Sequence, residues 1–292
     1  MFKIAVASGK GGTGKTFVAT NIFYTLQQQN QRVMLADCDA EAPNAVAFFD
    51  AKLIGTSEVT QQVPVINTDA CTFCGRCREY CNYNAIFILP PMRIINVIED
   101  MCHGCGACSV ACREGAISEK PVTMGKVDVY SLNGATSLIE ARMNIGVMSP
   151  VSIIKAAIRK VDHQSDVVIL DAPPGTSCPF IQTVSASDYV ILVTEPTPFG
   201  LSDLKQSVET LKIIKKPFGV IINRAGSGNK DVQDYLWKEK IPLLIEIPFK
   251  KEIAVLYSTG KIVAETDLFF AEQLSQVIKN ILSNHGNSHN QR

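Results

Sequence analysis

Apolar positions along the chain follow two rhythms. Near-continuous apolar runs recur as FKIAVAS (2–8), RVMLADCD (32–39), DVVILDAPP (166–174), DYVILVTEP (188–196) and PFGVIINRAG (217–226). Stretches of helical length, such as TFVATNIFYTLQQQ (16–29), lie between them. Runs of this kind spaced by helices predict an α/β fold, a mostly parallel sheet buried on both faces and flanked by helices. Near the C-terminus, AEQLSQVIKNIL (271–282) sets Leu274, Val277, Ile278 and Ile281 on one stripe, as a last helix packed on the sheet requires. The rhythm breaks over 59–121, where eight of the ten cysteines lie and little else could form a core. The expected organisation is therefore an α/β domain in two parts, 1–58 and 122–282, interrupted by a cysteine-rich insert at 59–121. A polar tail at 283–292 is expected to be flexible.

Composition narrows the partners. Lys and Arg number 28, as do Asp and Glu, so zero net charge gives no reason to expect nucleic acid. The lysine groups 212/215/216 and 250/251 read as solvated faces. No apolar run nears the roughly 18 residues that span a bilayer. The last helix carries only Lys279 as a basic residue, so membrane binding is not expected either. The opening MFKIAVASGK has no signal-peptide pattern, and a cytoplasmic location is expected. In a reducing compartment, clustered cysteines point to metal rather than disulfides.

GKGGTGKT (Gly9–Thr16) satisfies G-x-x-x-x-G-K-[ST] between a strand and a helix, a nucleoside triphosphate site of the P-loop type. Gly9, Gly11, Gly12, Thr13 and Gly14 form the loop, and its glycines let backbone N–H groups face phosphate oxygens. The following helix adds its positive end. Lys15 is placed for the β/γ-phosphates, the Thr16 hydroxyl for Mg²⁺, and Phe17 opens the helix beside them.

With its additional lysine at Lys10, SGKGGTGKT resembles the deviant Walker A group that includes MinD, ParA, Mrp-type carriers and the nitrogenase iron protein. The resemblance covers roughly 1–58 and 122–280. It implies ATP hydrolysis and a nucleotide-dependent homodimer in which Lys10 reaches the partner's nucleotide. It implies further that Asp39 positions the attacking water and that Asp171 holds Mg²⁺ through water. Asn223 would meet the adenine edge, and IPFKKEI (247–253), with Pro248, would close over the base.

Within the insert, Cys71, Cys74, Cys77 and Cys81 form C-x2-C-x2-C-x3-C, and Cys102, Cys105, Cys108 and Cys112 repeat it. This resembles a bacterial two-cluster ferredoxin, in which the fourth cysteine of each run ligates the other cluster. The resemblance implies one [4Fe–4S] cluster on Cys71, Cys74, Cys77 and Cys112, and a second on Cys102, Cys105, Cys108 and Cys81. Zinc competes for thiolates in fours, but zinc ribbons space them as two separated C-x2-C pairs. The proline usual after the fourth cysteine is replaced by Asn82 and Arg113. Arg76 and Arg78 within the first run either raise a cluster potential or face the ATPase body or an acidic partner. Cys38 reads as a small sheet residue. Cys178, seven residues after Asp171, stands where the nitrogenase iron protein has a cluster cysteine; without a second such cysteine it reads as a buried thiol.

The arrangement resembles MinD-superfamily ATPases with an inserted ferredoxin. The expected function is an ATPase switch gating electron delivery to a redox or iron–sulfur partner protein. An iron–sulfur carrier and a redox-sensing regulator are the alternatives.

Overall fold

The computed structural model describes residues 1–133, 135–162 and 164–286. β1 (Phe2–Ala7) leads through the glycine loop into α1 (Lys15–Gln28) and β2 (Val33–Asp37). A long strand β3 (Lys52–Ile66) then carries the chain into the cysteine segment. That segment comprises α2 (Arg76–Glu79), the hairpin β4 (Ile86–Leu89) and β5 (Ile94–Val97), and α3 (Ala107–Ala111). β6 (Ile117–Leu132) brings the chain back, followed by β7 (Ala135–Met143), α4 (Val151–Arg159), β8 (Val167–Asp171), α5 (Cys178–Ser185) and β9 (Tyr189–Thr194). The remainder is α6 (Pro198–Ile213), β10 (Phe218–Ala225), α7 (Asp231–Lys238), β11 (Leu243–Pro248), α8 (Lys251–Ser258), α9 (Val263–Thr266) and α10 (Leu268–His285).

Nine strands form one sheet in the order β11-β10-β9-β1-β8-β2-β7-β6-β3. β11 through β7 run parallel, whereas β6 and β3 add an antiparallel edge. The strand alternation sorts side chains onto two cores. Ile4, Val6, Leu35, Ile169 and Ile191 pack under α1 and α10, while Ala5, Ala7, Met34, Leu170 and Leu192 pack against α4 to α7. Burial on both faces explains the continuous apolar runs. A side chain such as Ile169, 0% exposed, contributes roughly 1.5–3 kcal/mol by its burial.

β3 and β6 cross the expected boundaries at 58/59 and 121/122 without interruption. They pair from Lys52↔Ser131 to Ile66↔Ile117 as one two-stranded ribbon. Its sheet-side half is held by β7, which pairs with β6 from Gly125 to Leu132. Beyond that, residues 60–66 and 117–123 project as a free arm of roughly 20 Å. The exit is marked by a register shift between Val59 and Thr60, with Met124 as the unpaired residue. Gly125 is needed there: a Cβ would lie 2.3 Å from the Arg142 carbonyl oxygen. α10 continues to His285, three residues into the expected tail at 283–292, and residues 287–292 lie outside the described residues. Among the described residues no helix is long and apolar enough to cross a membrane.

Candidate functional site

The glycine loop lies at the C-terminal end of β1, between the ends of β8 and β9, the place where open α/β sheets bind ligands. Gly14 caps α1 at φ 98°, and a Cβ there would meet the Asn223 amide nitrogen at 2.3 Å. Gly9 is required by packing rather than by a ligand, since its Cβ would lie 2.4 Å from the Asp203 carbonyl oxygen of α6. A cavity of about 480 Å³ opens beside the loop. Its walls include Gly11, Gly12, Gly14, Lys15, Thr16 and Phe17 from the loop and α1, and Asp39 beyond β2. Asn223, Pro248 and Tyr257 close the other side. Gly9, Lys10 and Thr13 line a separate small cleft against β9 and α6, and Asp171 is reached through the Thr16 hydroxyl.

Three aspartates converge under Thr16. The Thr16 hydroxyl donates to Asp171 Oδ2 at 2.6 Å, while Asp171 Oδ1 is buried without a hydrogen-bond partner. An orphaned carboxylate oxygen beside a P-loop hydroxyl fits a water-bridged Mg²⁺. Asp37 is in register with Asp171 on the neighbouring strand. It accepts from the backbone N–H groups of Asp39, Asn44 and Ala45. Burial, with a smaller contribution from Asp39, pushes the Asp37 carboxyl up to about 7. Burial and the Asp37 charge push Asp171 well above the carboxylate range. Asp39 is raised by burial too, and the Lys15 charge opposes that shift.

Asn223 and Lys10 are engaged within the protein. The Asn223 amide donates to the Thr13 carbonyl at 2.8 Å and its Oδ1 accepts from Arg224 N–H at 2.9 Å. One N–H and one lone pair are left for a base. Lys10 Nζ lies 3.6 Å from Glu195 Oε2, and Arg224 Nη1 lies 2.6 Å from Glu195 Oε1. Glu195, Arg224, Asn44 and Tyr257 were not picked out from sequence. Tyr257 lies four residues after Ile253, a helical repeat that extends the 247–253 segment onto α8. Glu195 stands just past the end of an apolar strand, as Asp171 stands at the end of another, which was its available signal.

In the cysteine module the eight run cysteines line two cavities. One is walled by Cys71, Cys74, Cys77 and Cys112, the other by Cys81, Cys102, Cys105 and Cys108. The two halves repeat at an offset of 31 residues, in backbone as in spacing. Positive φ occurs at Phe73 and Gly104, Gly75 and Gly106, and Asn84 and Gly115. The N–H of Phe73 donates to Cys71 Sγ and that of Gly104 to Cys102 Sγ, each at 3.4 Å. Gly104 cannot be larger, because a Cβ would meet Gln61 Cγ at 2.4 Å. Gln61 also donates to the Cys102 carbonyl at 2.7 Å and so ties the module to the ribbon. Among the described residues, no three His, Cys, Asp or Glu side chains converge as a site for a single metal ion. The thiols surround cavities instead of meeting at a point. Cys38 is buried, one residue past the end of β2 and not within the strand as expected, and Cys178 is exposed at the start of α5. The expectation of a buried thiol there is corrected: its helix begins at Cys178 and directs Phe180 and Val184 inward instead.

Several known proteins resemble the chain. An uncharacterised protein of Methanocaldococcus jannaschii is 30% identical over 266 residues, 89% of this chain and 91% of its own. An iron-sulfur cluster carrier protein of Rickettsia felis is 25% identical over 260 residues, 86% of this chain and 62% of its own. In fold, the septum site-determining protein MinD of Pyrococcus horikoshii, solved with Mg-ADP, superposes with a TM-score of 0.58 at 18% identity, covering 96% of this chain and 95% of its own. The sequence pattern of the CobQ/CobB/MinD/ParA nucleotide binding domain matches residues 4–263. The P-loop cavity, the acidic strand ends behind it and this match over most of the chain place the protein in the CobQ/CobB/MinD/ParA nucleotide-binding family.

Proposed function

We propose that the chain is an ATP-hydrolysing, nucleotide-dependent dimeric switch whose cysteine module holds two [4Fe–4S] clusters and gates electron delivery to a partner protein. The observation that carries the redox half is the sorting of eight thiols into two cavities, each taking three cysteines from one run and the fourth from the other. Bound there, the clusters would supply one-electron transfer. Backbone N–H groups of Phe73, Ala85 and Gly104 already face cysteine sulfurs, as thiolates in such sites require.

The nucleotide half rests on the cavity and its acids. The loop N–H groups, Lys15 and the α1 N-terminus bind the phosphates, and Thr16 with Asp171 would hold Mg²⁺. Asp39, in the cavity wall, orients the attacking water. Asn223 and the segment around Pro248 hold the base, and Lys10 leaves Glu195 to reach the partner's nucleotide. Coupling follows from the chain path, since β3 and β6 join the sheet flank directly to the module.

Lys15→Gln is expected to lower ATP hydrolysis by about 10²–10³-fold. The same variant should retain close to eight irons per chain, the content of two cubanes, and lose ATP-dependent electron delivery. Delivery that persists without hydrolysis would overturn the gating. A carrier function is the second reading, favoured by the exposed thiol of Cys178 and by the likeness to the Rickettsia carrier protein. It is tested by cluster transfer to an apo-acceptor from wild type and Cys178→Ser.

A further inference from the structure

The internal repeat makes the module its own control, since equivalent backbone positions in the two halves carry different charges. Arg76 and Arg78 of α2 correspond, at the offset of 31, to Ala107 and Ser109 of α3. Arg113 follows Cys112 at the first thiol set, whereas Asn82 follows Cys81 at the second. Arg76 lines the first cavity together with Glu114. Glu119 lines the second, beside His103. Asp100 precedes Cys102 by two residues, and Glu79 lies in sequence between Cys77 of the first set and Cys81 of the second. Among the described residues Arg76, Arg78 and Arg113 form no ion pair, nor do Glu114 and Glu119, so three arginines outweigh Glu114 at the first set, whereas Glu119, which accepts the Ser109 hydroxyl, faces no cation at the second. Glu99, by contrast, is neutralised by Lys120 at 2.8 Å.

The two sets also differ in position along the ribbon. Gln62 and Pro64 of β3 and Glu119 of β6 line the second cavity. Ile66 and Ile117, farther from the sheet on the same strands, line the first. The second site is thus nearer the nucleotide domain and the first is at the far end.

We propose that the module is electrically polarised, so that a single added electron resides at the far site of Cys71, Cys74, Cys77 and Cys112 and not at the sheet-side site. This rests on the two-cluster reading. Reduction adds negative charge, which unpaired arginines stabilise and unpaired carboxylates oppose. The step is a transfer of one electron from a low-potential one-electron donor, with no bond made or broken. An electron entering near the sheet would therefore pass outward along the arm.

The test is an anaerobic EPR-monitored dithionite titration of the full chain, with iron content measured in parallel. Wild type is expected to show two distinct potentials. Arg76→Ala, which keeps the backbone N–H, should lower only the higher one, by about tenfold in equilibrium constant, or about 59 mV for one electron. Arg76→Lys should leave it in place. Glu119→Gln should raise only the lower one, and it tests the same asymmetry without touching α2. Equal potentials in wild type, or an Arg76→Ala shift on the lower potential, would overturn the polarity. Iron far below eight per chain would overturn the two-cluster reading itself.

Discussion

Asp37 shows how much of the candidate site is decided by single side chains. It is 1% exposed and accepts three backbone N–H groups, yet burial raises its carboxyl to about 7. The folded state therefore binds this proton more tightly than the unfolded chain does. Its contribution to stability is fully present below the unfolded value of 3.8 and is lost as pH rises through about 7. Without Mg²⁺ and nucleotide, stability should fall across pH 5–7.5 by at most about 1.4 kcal/mol per unit for this proton. Asp37→Asn should flatten that slope in urea unfolding, at a cost of about 1 kcal/mol for the bond its amide cannot accept. An unchanged slope in the variant would assign the titration elsewhere. Lys10, the trans-acting residue that the loop sequence implies, is held by Glu195 in the single chain. A sequence motif names a residue but not the partner it rests against, and Glu195 lies 185 positions away.

At the scale of elements, the legible parts were those with a strong local rhythm. β1, β2, β8, β9 and β10 coincide with the continuous apolar runs because each is buried on both faces. β3 and β6 were not legible as a ribbon. Over 60–66 and 117–123 their side chains face solvent or the small cysteine module, so KLIGTSEVTQQVPVI carries only an interrupted alternation. β7 was missed because ATSLIEARM places Glu140 and Arg142 where a parallel core strand would be apolar; Glu140 is buried and paired with Arg142 at 2.8 Å. The grouping of the cysteines came from the resemblance of C-x2-C-x2-C-x3-C, repeated at 31 residues, to a two-cluster ferredoxin, and the structure gathers the same eight thiols around two cavities. The ribbon exit offers a direct test. Gly125→Ala places a methyl group against the Arg142 backbone and should destabilise the chain by about 1–3 kcal/mol. Thermal unfolding within about 0.5 kcal/mol of wild type would show that the exit can relax, contrary to its packing.

At the scale of the molecule, a nucleotide domain and a cysteine module share two continuous strands and no independent linker. The nucleotide cavity opens at the ends of the strands, where Asp39 and Asp171 lie, and the ribbon leaves from the same sheet three strands beyond β8. On the proposed function, a nucleotide-driven movement near β2 would reach the ribbon through the adjacent strands β7 and β6. Because coupling between sites is reciprocal, nucleotide state should alter the energetics of the module. The most direct measurement is a redox titration of the anaerobically purified chain, followed by EPR, first with ADP and then with Mg²⁺ and a non-hydrolysable ATP analogue. A displacement of at least one midpoint potential between the two states is expected. Superimposable curves would contradict the coupling of the nucleotide site to the cysteine module.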